Sequence, residues 1–136
     1  MKGILVDANV ILDIFTNDKL WADWSESILN QYSATHILYI NDIIYTEISV
    51  GFKHIKEVEE AIMKCGFQIL PMPKEALFLA GKTFLKYRKN KGTKRSPLPD
   101  FYIGAHAAVN GLNIITRDTQ RFKTYFPTVT LISPET

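Results

Sequence analysis

Four acidic residues lie at positions where their carboxylates could bind a metal ion or take part in catalysis: Asp7, Glu47, Asp100 and Asp118. Asp7 directly follows a short apolar run typical of a buried strand, and Asp118 comes two residues after another such run. Asp100 opens a predicted helix. An Asp at a helix start often caps free backbone N–H groups, so Asp100 and Asp118 could have this simpler role. In open parallel sheets, however, active sites form at the carboxyl ends of strands, which is where Asp7 is expected.

Glu47 lies on a face of its predicted helix that is not polar. Residues three and four positions apart share a helix face, and at these spacings the neighbours of Glu47 are Ile43, Ile44, Val50 and Gly51. A buried carboxylate without a partner is energetically costly. Glu47 must therefore be neutral, paired with a Lys or Arg, or bound to a metal ion, and the sequence leaves these three alternatives open.

Together, the four acids could form one pocket at the strand ends. Clustered carboxylates repel each other, so such a pocket needs a positive charge within it. All-oxygen ligands suit a hard cation, Mg²⁺ or Mn²⁺, and do not select zinc. Two such ions about 3.5–4 Å apart would activate a water molecule and stabilise both oxygens of a phosphoryl displacement. The pattern therefore predicts metal-dependent hydrolysis of a phosphate ester.

The elements that would position these acids alternate between strands and helices. Short, mostly β-branched apolar runs predict strands at 4–6, 37–40, 67–70, 113–116 and 129–132. Helices are expected at 9–17, 19–33, 42–53, 55–65, 74–90, 99–111 and 118–123. Nearly continuous apolar strands suit a sheet that is covered on both faces. We therefore predict an α/β fold, in which a central, mostly parallel sheet of about four to five strands is flanked by helices as an α/β/α sandwich.

Proline and glycine mark the limits of the predicted helix 99–111. Pro99 suits the first turn, where its missing N–H is not needed, and Gly111 suits the position after the last turn. Inside this helix, Gly104 and the neighbouring alanines are small, which predicts close packing against the sheet.

The composition is that of an ordinary globular protein, with 46% hydrophobic and 22% charged residues. Cys65 is the single cysteine, which excludes a disulfide within the chain and a cysteine-based zinc cluster. The start of the sequence lacks a signal-peptide pattern, and no apolar run approaches the ~18 residues of a membrane span. We therefore expect a single domain over residues 1–136, cytoplasmic and not associated with a membrane.

Charge is distributed unevenly along the chain, although the formal net charge is only +2. Residues 82–95, here called the basic strip, contain seven basic residues and no acidic one. The rest of the chain contains nine basic and 14 acidic residues. The basic strip could bind a polyanion beside a cluster of acids, or it could be a solvated helix end and loop.

The acids and their flanking residues resemble the PIN-domain family of nucleases. Residues 4–12 (ILVDANVIL) resemble the opening motif of that family, and Glu47 matches its helical Glu. Residues 98–107 (LPDFYIGAHA) resemble the helix that carries the third acid, and residues 116–118 (TRD) resemble the fourth-acid motif. The tail, residues 122–134, resembles the VapC-like toxin branch in particular. The resemblance covers nearly all of the chain.

This resemblance implies a Mg²⁺- or Mn²⁺-dependent endoribonuclease that hydrolyses RNA to 5′-phosphate and 3′-hydroxyl ends. It also implies the toxin of a type II toxin–antitoxin pair, often a homodimer, that is inhibited by a small VapB-like antitoxin whose tail fills the acidic groove. One departure is Ala8, where relatives often have Thr or Ser, so a hydroxyl contact is lost here.

Carried over by position, the resemblance assigns roles to individual residues. The catalytic metal ligands, direct or through water, would be Asp7, Glu47, Asp100 and Asp118. The polar supports that orient carboxylates or water would be Asn9 and Thr116. The charge distribution, and not the resemblance, supplies the residues considered for contact with RNA phosphates: Arg88, Lys89, Lys91, Lys94 and Arg95 of the basic strip, and Arg117.

Three other functions are compatible with an α/β chain of this kind, and each fits the sequence less well than a nuclease. The main alternative is a non-catalytic RNA-binding or scaffolding module, although a pure binding surface has no need of clustered like charge. A dinucleotide-binding domain is excluded because no Gly-x-Gly-x-x-Gly turn follows the first strand. A phospho-aspartate hydrolase or receiver domain would use Asp7 as nucleophile, but such hydrolases usually have a second Asp where this chain has Asn9.

Other polar residues lie near the predicted acids in the sequence, and the expected roles of four of them lie outside the metal site. We expect Asp13 in solvent or at a helix end, and Asp42 as the N-cap of the helix that carries Glu47. His106 is about 240° around its helix from the third acid, so it should face away from the pocket. Arg117 could contact phosphate or pair with Glu47, and the sequence does not decide between the two.

Overall fold

The computed structural model describes residues 2–135 of the chain. Met1 and Thr136, the limits of the predicted domain, lie outside the described residues. The strands of the described part are β1 (Gly3–Val6), β2 (Ile37–Ile40), β3 (Gln68–Ile69), β4 (Asn113–Ile115) and β5 (Leu131–Ile132). Its helices are α1 (Ala8–Phe15), α2 (Ala22–Ser33), α3 (Asp42–Ser49), α4 (Ile55–Cys65), α5 (Lys74–Lys89), α6 (Pro99–Asn110) and α7 (Gln120–Tyr125). Every predicted strand and helix is therefore present, with bounds that shift by a few residues.

All the strands are parallel, in the order β3-β2-β1-β4-β5. The chain runs outward from β1 to β3 and then returns to β4 on the other side of β1. The connections of β1 and β4 therefore leave in opposite directions, and a crevice forms outside their carboxyl ends. Because Val6 pairs with Ile115, the next residues, Asp7 and Thr116, meet across this crevice. The α/β fold with a parallel sheet is confirmed.

The two strands that border the crevice are the most deeply buried part of the sheet. Ile4, Leu5 and Val6 of β1 have no exposed surface, and neither do Ile114 and Ile115 of β4. Successive side chains of a strand point to opposite faces, so burial of consecutive residues requires helices on both sides of the sheet. Burying each of these side chains contributes about 1.5–3 kcal/mol, which fixes the backbone from which Asp7 projects.

The predicted limits of α6 are confirmed, whereas the predicted cap of α3 is wrong. Pro99 is the first residue of α6, and Gly111 follows its last turn with a φ of 66°. The N-cap of α3 is Asn41, whose Oδ1 accepts a hydrogen bond of 2.9 Å from the backbone N–H of Ile44. Asp42 is instead the first helical residue and is exposed. Asn41 directly follows β2, so the strand sets the capping position.

The prediction that the small residues of α6 pack closely against the sheet does not hold at Gly104, where the close contact is with Phe126. A Cβ atom at Gly104 would overlap the ring of Phe126, which directly follows α7. The close approach therefore joins α6 to the end of α7. Within residues 2–135, no helix combines the length and apolar character that a membrane crossing requires.

Replacing Gly104 with Ala should destabilise the fold, whereas the same change at Gly81 should not. In α6 the new methyl group meets the Phe126 ring, and overpacking typically costs about 1–3 kcal/mol. In α5, a Cβ at Gly81 meets no atom within 4 Å, so the better helix propensity of Ala should contribute about 0.5–1 kcal/mol. Urea unfolding of Gly104→Ala and Gly81→Ala measures both changes, and changes of the same sign would contradict this packing.

Candidate active site

Asp7 is fixed at the end of β1 by hydrogen bonds to both of its carboxylate oxygens. Oδ1 accepts a bond of 2.8 Å from the backbone N–H of Ala8. Oδ2 accepts a bond of 2.8 Å from the hydroxyl of Thr116, which follows β4. The backbone N–H of Asp7 also donates to the carbonyl of Ile115 at 2.9 Å. Asp7 is only 5% exposed, so its position is set by the two central strands.

The two predicted polar supports, Asn9 and Thr116, join Asp7 to the loop that carries Asp118. The Asn9 amide nitrogen lies 3.4 Å from the Thr116 hydroxyl and 3.5 Å from Asp7 Oδ2. The Thr116 hydroxyl oxygen accepts a hydrogen bond of 3.1 Å from the backbone N–H of Asp118. The Thr116 hydroxyl group therefore links the Asp7 carboxylate to the backbone of Asp118.

Charges on three of the predicted acids, Asp7, Asp100 and Asp118, raise the pKa values of other acids in the set. The pKa of Asp7 is raised to about 6: burial is the largest cause and the charges of Asp100 and Asp118 add to it, while the hydrogen bonds from Thr116 and Ala8 oppose the rise. Burial also raises the pKa of Asp100, with a smaller contribution from Asp118, against the lowering effect of Arg121. The structure therefore brings these acids together at the crevice.

Glu47 is the acid whose buried negative charge has the fewest stabilising contacts. Its pKa is raised to about 7, chiefly by burial and in addition by the charges of Asp7 and Asp100. Its Oε1 atom is buried and has no hydrogen-bond partner. Among the described residues, no Lys or Arg forms an ion pair with Glu47. Of the three alternatives left open by the sequence, the cation pair is therefore absent.

A buried hydrogen bond connects the helices that carry Glu47 and Asp100. The amide nitrogen of Asn41, the N-cap of α3, lies 3.0 Å from Nδ1 of His106 in α6. Because Asn41 Oδ1 already accepts from the α3 backbone, its amide donates to Nδ1, which leaves the histidine proton on Nε2. Burial lowers the pKa of His106, which keeps the ring neutral. His106 is therefore a link between helices and not a member of the acidic site.

Asp13 and Arg117 have roles that differ from the sequence interpretation. Asp13 is buried, with its side chain only 3% exposed, and it accepts two hydrogen bonds of 2.8 Å from the Arg117 guanidinium. Ser25 donates a third bond to Asp13 at 2.9 Å, and the Arg117 guanidinium lies 5.5 Å from the Trp21 ring centre. The expectation of a solvent-exposed Asp13 is wrong, and Arg117 pairs with Asp13 and not with Glu47. Asp13 shares a face of α1 with Asn9, four residues earlier, but its partner Arg117 is 104 residues away along the chain, so no local pattern indicates the pair.

The loop of the basic strip is folded onto two side chains of α5. Arg88 donates to the backbone oxygens of Gly92 and Lys94 at 3.2 and 2.9 Å. The hydroxyl of Tyr87 accepts from the backbone N–H groups of Thr93 and Lys94, both at 3.2 Å. All seven cations of the strip are exposed, but in the part of the chain that the structure describes only Arg88 is bonded to the loop backbone in this way, so Arg88 shapes the loop.

The donor set fits a hard cation that keeps part of its water shell. Within residues 2–135, no three acidic, histidine or cysteine side chains are close enough to hold one metal ion directly. Carboxylates that repel each other do not collapse into a closed cage without a cation. Mg²⁺ commonly retains several waters and takes only one or two carboxylates directly. The unpartnered Glu47 oxygen and the raised pKa values of the acids are the features that such an ion would satisfy.

A family model described as the PIN domain matches residues 4–126 of the chain. The fold is similar to a chain of VapBC2 from Rickettsia felis, solved with a DNA fragment from its promoter, at 15% identity and a TM-score of 0.74 over 96% of this chain and 98% of that one. It is also similar to a chain of a toxin–antitoxin complex from Klebsiella pneumoniae, at 22% identity and a TM-score of 0.67 over 96% and 97% of the two chains.

A third similar structure is FitAcB from Neisseria gonorrhoeae, at 25% identity and a TM-score of 0.63, with 97% of this chain and 98% of that one covered. No curated protein gives a significant match. The similarities therefore extend over nearly the full length of each chain.

The raised pKa of Glu47 should make folding stability depend on pH. A carboxyl group with a pKa of about 7 in the folded state and 4.5 in the unfolded state binds its proton more tightly when folded. Stability is therefore lost as pH rises from about 4.5 to about 7. The variant Glu47→Gln stays uncharged, so without divalent metal it should exceed the wild type by about 1–2 kcal/mol at about pH 8 and match it at about pH 4.

Urea unfolding across this pH range measures the difference, with Glu60→Gln as the matched control. Glu60 is exposed on α4, so its replacement should leave the pH dependence unchanged. Equal pH profiles for Glu47→Gln and the wild type would contradict the repulsion described here.

Removing Arg117 should destabilise the protein more than removing an exposed cation. The variant Arg117→Ala leaves the buried Asp13 carboxylate without its bidentate partner, which costs about 3 kcal/mol. The control Lys123→Ala breaks an exposed pair with Glu135, worth about 0–1 kcal/mol. The double variant Asp13→Ala/Arg117→Ala should recover part of the loss in thermal denaturation. Similar losses for Arg117→Ala and Lys123→Ala would contradict a structural role for this pair.

Proposed function

The chain belongs to the PIN-domain family, and on this premise we propose that it is a metal-dependent endoribonuclease, the toxin of a toxin–antitoxin pair. The observation that carries the proposal is the electrostatic coupling of the four acids at the crevice between β1 and β4. Neighbouring carboxylates raise the pKa values of Asp7, Glu47 and Asp100, and no Lys or Arg of the described chain pairs with Glu47 or Asp7. A divalent cation bound among these carboxylates would relieve their mutual repulsion.

The chain's own residues have distinct parts in the proposed reaction. Asp7, Glu47, Asp100 and Asp118 would hold Mg²⁺ or Mn²⁺, directly or through water. When bound, the ion would lower the pKa of a coordinated water and stabilise negative charge on the phosphate. Thr116 orients Asp7 through the hydrogen bond to Oδ2, and this bond favours the ionised carboxylate over the protonated one.

We propose single-stranded RNA as the substrate, with its phosphate backbone along the basic strip. Lys89, Lys91, Lys94 and Arg95 are exposed, and cations of this kind bind a nucleic acid backbone with release of counterions. The guanidinium groups of Arg88 and Arg117 already bond within the chain, so we give them supporting roles in the loop and beside the acids.

The proposed partners are a small VapB-like antitoxin and a second copy of this chain. The similar structures are described as VapBC2, FitAcB and a toxin–antitoxin complex, which supports the antitoxin. The exposed side chains Leu77, Phe78 and Leu85 of α5 supply apolar surface of the kind that protein contacts cover.

A non-catalytic RNA-binding module is the second candidate. The observation in its favour is that, within the described part of the chain, no three acids form a closed metal cage. Against it, a binding surface for RNA gains nothing from four acids, because they repel phosphate. Metal binding and cleavage separate the two candidates directly.

Mg²⁺ or Mn²⁺ should raise the melting temperature of the wild type, because the ion removes carboxylate repulsion and binds only the folded state. Single-stranded RNA should be cleaved in the presence of metal and not with excess chelator. The variants Asp7→Asn and Asp100→Asn should each lose more than about 100-fold in cleavage rate while their metal-free melting temperature is kept or raised.

The variant Asp23→Asn, which removes an exposed acid from α2, is the control and should cleave like the wild type. A melting temperature indifferent to metal, together with no cleavage of RNA by the wild type, would reject the hydrolytic function in favour of the binding module. Cleavage unaffected by Asp7→Asn would remove Asp7 from the proposed mechanism.

A further inference from the structure

A cavity of about 380 Å³ lies next to Asp118. It is lined by Tyr87, Asp118, Gln120, Arg121, Thr124 and Tyr125. Its volume is at the lower end of pockets that hold small organic groups. Because Asp118 belongs to both the cavity and the acidic site, a group in this cavity would be adjacent to the proposed metal site.

Two tyrosine rings give the cavity rigid aromatic walls. Tyr87 and Tyr125 are only partly exposed, and each packs edgewise on Phe101 with ring centres 5.4 Å apart. The hydroxyl of Tyr87 also accepts two hydrogen bonds from the basic strip, so the ring cannot turn freely. Aromatic side chains that are already ordered lose little entropy when a nucleobase stacks on them, and such stacking is a general mode of single-strand recognition.

Two exposed polar side chains of α7 stand on one face of the helix at the cavity. Gln120 and Thr124 are four residues apart and both line it. The Thr124 hydroxyl donates to the backbone oxygen of Gln120 at 2.9 Å, which leaves the hydroxyl oxygen free to accept. The Gln120 amide can donate and accept. Together these groups can form hydrogen bonds to the edge of a base.

Arg121 connects the cavity to the acidic site. One guanidinium nitrogen lies 3.5 Å from Asp100 Oδ2, which is a long contact, and 43% of the side chain is exposed. The guanidinium has five N–H donors, so most of them remain available for a phosphate. Arginine binds phosphate with the same fork of donors that binds carboxylate. The cavity therefore combines the aromatic, polar and cationic groups that can bind the base and phosphate of one nucleotide.

We propose that this cavity binds the nucleotide next to the cleaved phosphodiester, and that its base contacts contribute to sequence preference. The base stacks on the face of one tyrosine and contacts the edge of the other, because the Tyr87 and Tyr125 rings are inclined at 68° to each other. Gln120 and Thr124 contact the edge of the base, and Arg121 holds the adjoining phosphate. A purely apolar ligand would leave the polar groups of α7 unsatisfied, and a lone anion would make no use of the two rings. The inference rests on the proposed function, since it takes single-stranded RNA as the substrate.

The test measures binding separately from cleavage. Fluorescently labelled homopolymer RNAs of A, C, G and U are titrated by anisotropy onto the full chain carrying Asp7→Asn, so that no RNA is consumed. We expect affinities that differ by about tenfold between the best and the worst base. Adding Gln120→Ala and Thr124→Val should reduce this range to about twofold. Both side chains are exposed, so the fold should be kept, which melting curves check.

A matched pair of variants on α7 tests the phosphate contact. Arg121→Ala should weaken binding of all four homopolymers by a similar factor, whereas Lys123→Ala should change none of them. Both variants remove one cation from α7, but Lys123 pairs with Glu135 and lies outside the cavity.

An unchanged order and range of affinities in Gln120→Ala/Thr124→Val, or equal effects of Arg121→Ala and Lys123→Ala, would overturn the proposal. Absence of measurable binding to all four RNAs would also overturn it. Base preference that depends on the cavity, together with no metal-dependent cleavage by the otherwise wild-type chain, would leave the cavity assignment standing and reject the nuclease function instead.

Discussion

The mutual repulsion of carboxylates at the carboxyl ends of β1 and β4 is the constraint on which the site depends. Asp7 and Glu47 are held in surroundings that raise their pKa values to about 6 and about 7, and nearby acids add to the effect of burial. A fold selected for stability alone would pair or solvate these groups. The chain keeps them together and leaves a Glu47 oxygen buried without a partner, and the proposed divalent cation would supply the missing positive charge.

The scaffold resists this repulsion through contacts that do not belong to the acids. The buried strands β1 and β4 fix Asp7 against Thr116. The Asp13–Arg117 pair joins α1 to the loop after β4, so Asp118 cannot withdraw from Asp7 without breaking a buried ion pair. The neutral His106 bonds to the cap of α3 and links the helices of the second and third acids. These contacts set the spacing between the four acids, and the acids themselves supply the negative charge of the site.

Local sequence patterns predicted the fold well because they follow from burial and capping. Near-continuous apolar runs identified the strands, and Pro99 and Gly111 marked the ends of α6. The errors arose where a long-range partner decided the outcome. Nothing local pairs Asp13 with Arg117, and Asn41, next to Asp42, became the cap because β2 ends one residue earlier. The cavity beside Asp118 was equally invisible, since Tyr87 reaches it from a helix that is remote in sequence.

Anomalous scattering from crystals soaked in Mn²⁺ tests most directly whether four acids, distant along the chain, share a divalent-ion site. We expect an anomalous peak at the crevice, with oxygen atoms of Asp7 and of at least one of Asp100 and Asp118 as ligands, directly or through water. Full Mn²⁺ occupancy elsewhere on the surface, with no peak among these carboxylates, would contradict this expectation.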